Sequence, residues 1–134
     1  MHKPLIIFQV IFFLVASSAS HAEDSSDNEK CGFTQLEQNN CAAFKYHEAD
    51  GELNRLYKEQ LAALKTPKTI ARFRDAQRAW VAFRDKSCLY EVGTREENGS
   101  SWIADDFVCK ANYTKLRIFE LEKYVACRED YCPN

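Results

Sequence analysis

The stretches Ala49–Tyr57 (ADGELNRLY) and Ala76–Cys88 (AQRAWVAFRDKSC) decide the fold. In the first, Asp50, Asn54 and Tyr57 stand at i, i+4 and i+7. In the second, Gln77, Trp80 and Arg84 stand at i, i+3 and i+7. Either spacing keeps its residues on one side of an α-helix. Pro67 lies between the stretches and marks a turn. Folding the chain back there sets Asp50 opposite Arg84, Asn54 opposite Trp80 and Tyr57 opposite Gln77. The numbers of each pair have the same sum, as an antiparallel helical hairpin requires. Polar groups inside such a seam are costly unless they satisfy one another. The six residues are therefore read as a structural ladder that fixes the hairpin register, with a ligand-binding seam as the competing reading.

Outward from this hairpin the elements follow. Thr34-Gln35-Leu36-Glu37 has the form of a capping box. It predicts a first helix over about 35–64, with Ala42, Tyr46, Ala49, Leu53, Leu56 and Leu64 at helical spacing. Gly51 inside it costs ~1 kcal/mol against Ala and invites a kink. A second helix is expected over about 68–90, with Ile70, Phe73, Trp80, Phe83 and Cys88 towards the core. A loop over 93–101 follows. A third helix is expected from about 101 or 102 to 126, supported by Phe107, Tyr113, Leu116, Leu121 and Tyr124. A short tail closes the chain. The reading is all-α: an antiparallel three-helix bundle stapled by disulfides.

The N-terminus has the form of an export signal. Lys3 precedes an apolar run from Leu5 to Val15, and Ser20-His21-Ala22 fits a small-x-small cleavage site. The run is shorter than the ~20 residues that cross a bilayer. Residues 1–22 are expected to be cleaved, 23–33 to form a polar N-terminal segment, and 34–134 to form a single helical domain with its tail. The expected location is periplasmic or secreted and soluble, with no stable membrane insertion after cleavage.

All six cysteines (Cys31, Cys41, Cys88, Cys109, Cys127 and Cys132) lie beyond the signal. An even count in a small exported chain reads as a disulfide framework. Three antiparallel helices gather Cys31, Cys41, Cys88 and Cys109 at one pole and leave Cys127 and Cys132 near the other. That separation suggests Cys127 with Cys132, while the other four pair among themselves; Cys88 with Cys109 would staple the loop between the second and third helices and Cys31 with Cys41 would tie the entry segment to the first, but spacing leaves the other connectivities open. No close Cys-x-x-Cys pair is present, so neither a metal nor a cofactor is expected. The formal net charge is −2, and loss of Lys3 with the signal makes it −3. That mild acidity and the lack of a basic stripe argue against nucleic acid.

Catalysis finds little support. Beyond the signal His47 is the one remaining histidine, and neither G-x-S-x-G nor H-E-x-x-H occurs. Glu96-Glu97 and Asp105-Asp106 are carboxylate pairs, but adjacent helical residues point apart, and a solvated acidic rim explains them better. No catalytic residues are assigned. The loop over 91–102 is the best place for partner contact, because a stapled scaffold would hold it and Trp102 is a large aromatic anchor. The candidates there are Arg95, Glu96, Glu97, Asn98, Gly99, Ser100, Trp102, Asp105 and Asp106. Packing of Trp102 against the third helix is the alternative.

The order Cys31, Thr34-Gln35, Cys41, Asp50-x-x-Leu53-Asn54-x-x-Tyr57, Gln77-x-x-Trp80-x-x-x-Arg84-x-x-x-Cys88, Gly99-Ser100, Cys109 and Thr114-x-x-Arg117 resembles the LprI-type lysozyme-inhibitor family. The resemblance spans nearly the whole chain beyond the signal and covers the first four cysteines best. It departs at Asn98, where the family pattern tends to have a second glycine. It implies a small exported bacterial helical protein and, as partner, a lysozyme or related cell-wall hydrolase blocked sterically. The acidic rim would then meet a basic enzyme surface, with Arg95 or neutral loop groups nearer the enzyme's own carboxylates. The alternative is a periplasmic structural or interaction protein, or an immunity protein, without general lysozyme inhibition.

Overall fold

The computed structural model describes residues 31–129 and Cys132. The expected signal, its cleavage site and most of the polar segment lie outside these residues. The described chain forms three long helices and one short one. They are α1 (Gln35–Ala63), α2 (Pro67–Val92), α3 (Arg95–Asn98) and α4 (Trp102–Ala126).

Local chemistry sets each boundary. The Thr34 hydroxyl accepts from the Glu37 amide at 3.3 Å, and the Thr34 amide donates to Glu37 Oε2 at 2.9 Å, completing the capping box of α1. Thr66 caps α2 by accepting from the Thr69 amide at 3.1 Å, with Pro67 in the first turn, where no N–H is needed. α2 stops at Gly93, whose φ of 74° lies in the left-handed region open to glycine. α1 runs unbroken through Gly51.

The bundle is up-down-up. Asn39 reaches Ser100 and Tyr46 lies against Phe107, so α1 and α4 run parallel. Gln77 meets Arg117 and Cys88 bonds Cys109, so α2 runs antiparallel to α4. α1 and α4 are the closest pair, and α2 packs on α4. Small buried residues (Ala42, Ala49, Ala111 and Thr114) line α1 and α4 and let their backbones approach. The α1–α2 contact is made largely by long side chains. Leu53, Leu56 and Leu121 form the core, flanked by Tyr57, Phe73, Trp80, Ile118, Tyr124 and Val125.

Two expected core positions face outward. Leu116 and Phe83 are exposed. Thr114 and Arg117 take the inward positions of α4 that flank Leu116, while Gln77 and Arg84 do the same on α2. The inner face is thus partly polar, and apolar periodicity does not trace it. Phe83 still meets the Tyr113 ring edge-on at 5.7 Å. The disulfides are Cys31–Cys41, Cys88–Cys109 and Cys127–Cys132.

Candidate functional site

The pole carrying two disulfides holds the α2–α4 connection, and local bonds fix it closely. Thr94 begins α3, and its amide donates to Glu97 Oε2 at 2.6 Å. That bond holds the Glu97 carboxyl below its ordinary pKa, because a charged acceptor is favoured there. Asn98 Nδ2 donates to the Val92 carbonyl at 2.7 Å, and the Ser101 hydroxyl donates to the Asn98 carbonyl at 3.1 Å. Trp102 Nε1 donates to the Gly93 carbonyl at 2.9 Å. Its indole therefore clamps the end of α2 to the start of α4 and is half-buried. Asn39 Nδ2 reaches the Ser100 carbonyl at 3.4 Å and ties the turn to α1.

What remains outward is a narrow set. Arg95, Glu96, Glu97, Asn98, Gly99, Ser100 and Asp105 are exposed. Asp106 is not on this rim. It is buried and accepts from Lys110 Nζ at 2.7 Å, because its position shares the inner face of α4 with Cys109. Glu97 is exposed but its carboxylate is committed to the cap. The same end of the bundle also exposes Phe33 fully, together with Leu36 and Tyr90. Sequence reasoning missed these three. A signal existed for Phe33: a residue before an N-cap packs against the fourth helical residue when that residue is apolar. Here that position is Gln38, so Phe33 has no staple partner.

The seam between α1 and α2 holds the second group. Arg84 is buried under the rings of Tyr46 and Trp80, with its guanidinium carbon 5.5 and 5.3 Å from their centroids. It faces Asp50 at 3.7 Å and bonds Asp85 at 2.9 Å. Asn54 donates to Asp50 at 2.9 Å along α1. Tyr57 stacks on Phe73 with centroids 5.1 Å apart. Gln77 accepts from Arg117 Nε at 3.1 Å, towards α4. Of the three pairings drawn across the hairpin, Asp50 with Arg84 meets directly, while Asn54, Tyr57 and Gln77 bond or stack on other neighbours. A groove of about 460 Å³ lies over the seam, lined by Asp50, Asn54, Tyr57, Gln77 and Arg84 among others. Burial pushes the Tyr46 phenol up, and Arg84 acts against that shift.

His47 is exposed and touches the rings of Tyr46 and Phe107 at 5.4 and 5.9 Å. Among the described residues no group of three or more His, Cys, Asp or Glu side chains could hold a metal. No helix among them is long and apolar enough to cross a membrane. The pole is held by local hydrogen bonds and the Cys88–Cys109 bridge, is mixed in charge, and carries exposed aromatic and aliphatic side chains.

Comparison with known proteins adds the family. The family model described as lysozyme inhibitor LprI matches residues 25–121. An uncharacterized protein of Rhizobium meliloti (strain 1021) is 28% identical over 129 residues, covering 87% of this chain and 92% of that protein. No solved structure matches.

Proposed function

Since the chain belongs to the lysozyme inhibitor LprI family, we propose that it is an exported inhibitor of a lysozyme-like peptidoglycan hydrolase and acts by binding, not by catalysis. The family match carries the class of activity. Three disulfides suit an oxidising compartment outside the cytoplasm.

The stapled pole is the surface we assign to the enzyme. Loops on a rigid support lose little entropy on binding, and this turn is held by Trp102, Asn98 and the Cys88–Cys109 bridge. Glu96 and Asp105 would draw a basic enzyme surface and speed encounter. The hydrolase cleft carries its own catalytic carboxylates, so Arg95, Gly99 and Ser100 are the groups suited to approach its centre. A stable complex buries roughly 1,200–2,000 Å² in total, more than one short turn supplies. Phe33, Leu36 and Tyr90 at the same end would add apolar area. Their exposure also favours the second reading, an immunity or interaction protein whose partner is not a general lysozyme.

The test is lysis of a cell-wall suspension by several lysozymes in the presence of the oxidised protein. Near-stoichiometric inhibition of at least one enzyme is expected. No inhibition of any would overturn the inhibitor reading and leave the interaction-protein reading.

A further inference from the structure

A cleft of about 520 Å³ opens at the opposite end of the bundle, where α1 turns into α2 beside the last turns of α4. Its volume is within the roughly 300–1,000 Å³ usual for small-molecule sites. Leu64, Phe73, Ala76 and Tyr124 give it apolar walls, and Arg72 and Arg117 line it as well. Arg117 is a buried cation. Its guanidinium lies 6.0 Å from the Trp80 ring and 5.9 Å from the Tyr124 ring, bonds Gln77, and is neutralised on its outer side by Glu120 at 2.6 Å. Arg72 is exposed and, like the neighbouring Lys65 and Lys68, forms no ion pair among the described residues. These three cations stand beside the cleft on a chain whose formal net charge is −2.

An apolar cleft with an exposed cation at its mouth and a buried one in its wall suits a ligand with two parts. The walls remove an aliphatic or aromatic body from water, and the mouth supplies a charge-assisted partner for one anionic group. We propose that this cleft binds a free monoanionic amphiphile, its carboxylate at Arg72 and its apolar body against Leu64, Phe73 and Tyr124. The site is separate from the pole assigned to the hydrolase, so it stands or falls independently of that assignment.

Titration of ¹⁵N-labelled full-length protein with monomeric decanoate, followed by NMR, tests this. Saturable one-to-one shifts centred on residues 60–76 and 117–128 are expected. Arg72→Glu removes the mouth cation, and Ala76→Trp, at an exposed helical position, fills the cleft. Each is expected to weaken binding at least tenfold while the far-ultraviolet circular dichroism stays unchanged. Shifts centred elsewhere, or equal binding by a folded Arg72→Glu protein, would overturn the proposal. So would equal binding of decan-1-ol, since no cation would then take part. Retention on phosphatidylglycerol vesicles with no response to decanoate would overturn it in favour of a membrane surface.

Discussion

Arg84 shows how one residue serves both fold and register. Its guanidinium is buried, yet Asp50 is about a third exposed at 3.7 Å and Asp85 is about half exposed. Breaking a fully buried pair costs about 3–5 kcal/mol, and solvent screening discounts that here. Arg84→Ala is expected to lower stability by about 1–3 kcal/mol, as judged by chemical denaturation. A loss under about 0.5 kcal/mol, the usual range for a surface substitution, would mean that the ring contacts and ion pairs contribute nothing. At Gly51 the expectation reverses. A Cβ added there meets nothing within 4 Å, and the helix runs straight through. Gly51→Ala is expected to stabilise the protein by about 0.5–1 kcal/mol, and a destabilised variant would show that the glycine serves a contact outside this fold. The residue pattern made the Asp50–Arg84 meeting legible. It did not reveal that Gln77 turns to Arg117 or that Tyr57 stacks on Phe73, because two-helix register arithmetic ignores the third helix.

At the scale of elements, capping chemistry was the most readable part. Thr34-Gln35-Leu36-Glu37 placed the start of α1, and the turn read at Pro67 put the start of α2 at about 68, one residue after the observed first residue. The short helix α3 was hidden inside an expected loop, although Thr94 and Glu97 have the same capping spacing. The Thr94 amide holds the Glu97 carboxyl below its usual range. A carboxylate depressed in the folded state stabilises it above the unfolded pKa of about 4.3. That stability is lost as pH falls through the folded value. The Thr94 amide resonance should therefore titrate with a midpoint below about 4.3, and a midpoint at or above it would contradict the cap. The Cys88–Cys109 bridge closes a segment with a sequence separation of 21. Replacing both cysteines by alanine is expected to cost about 3 kcal/mol through the freed unfolded chain, read from the denaturation midpoint. An unchanged midpoint would show that Trp102 and the core alone hold this pole. The core face of α4 was the least legible element, because buried Thr114 and Arg117 interrupt the apolar spacing that would have excluded Leu116.

Across the whole molecule, the two ends present different side chains. The stapled pole presents Glu96 and Asp105 near exposed Phe33, Leu36 and Tyr90, while the opposite end has an apolar cleft lined by Arg72 and Arg117, with Lys65 and Lys68 nearby in the chain. Sequence order brought Arg95, Glu96 and Glu97 together, since one turn carries all three, but did not show that Asp106 points inward. The cleft needed the fold, because Arg117 and Tyr124 of α4 complete walls begun at the α1–α2 turn. The proposed role of the stapled pole is to block a cell-wall hydrolase. The most direct measurement is a lysis assay that compares the parent protein with Glu96→Lys/Asp105→Lys at the pole and with Lys68→Glu/Arg72→Glu at the far end. Near-stoichiometric inhibition is expected from the parent and the far-end variant, and inhibition at least tenfold weaker from the pole variant at matched stability. Equal inhibition by all three, or loss confined to the far-end variant, would contradict it.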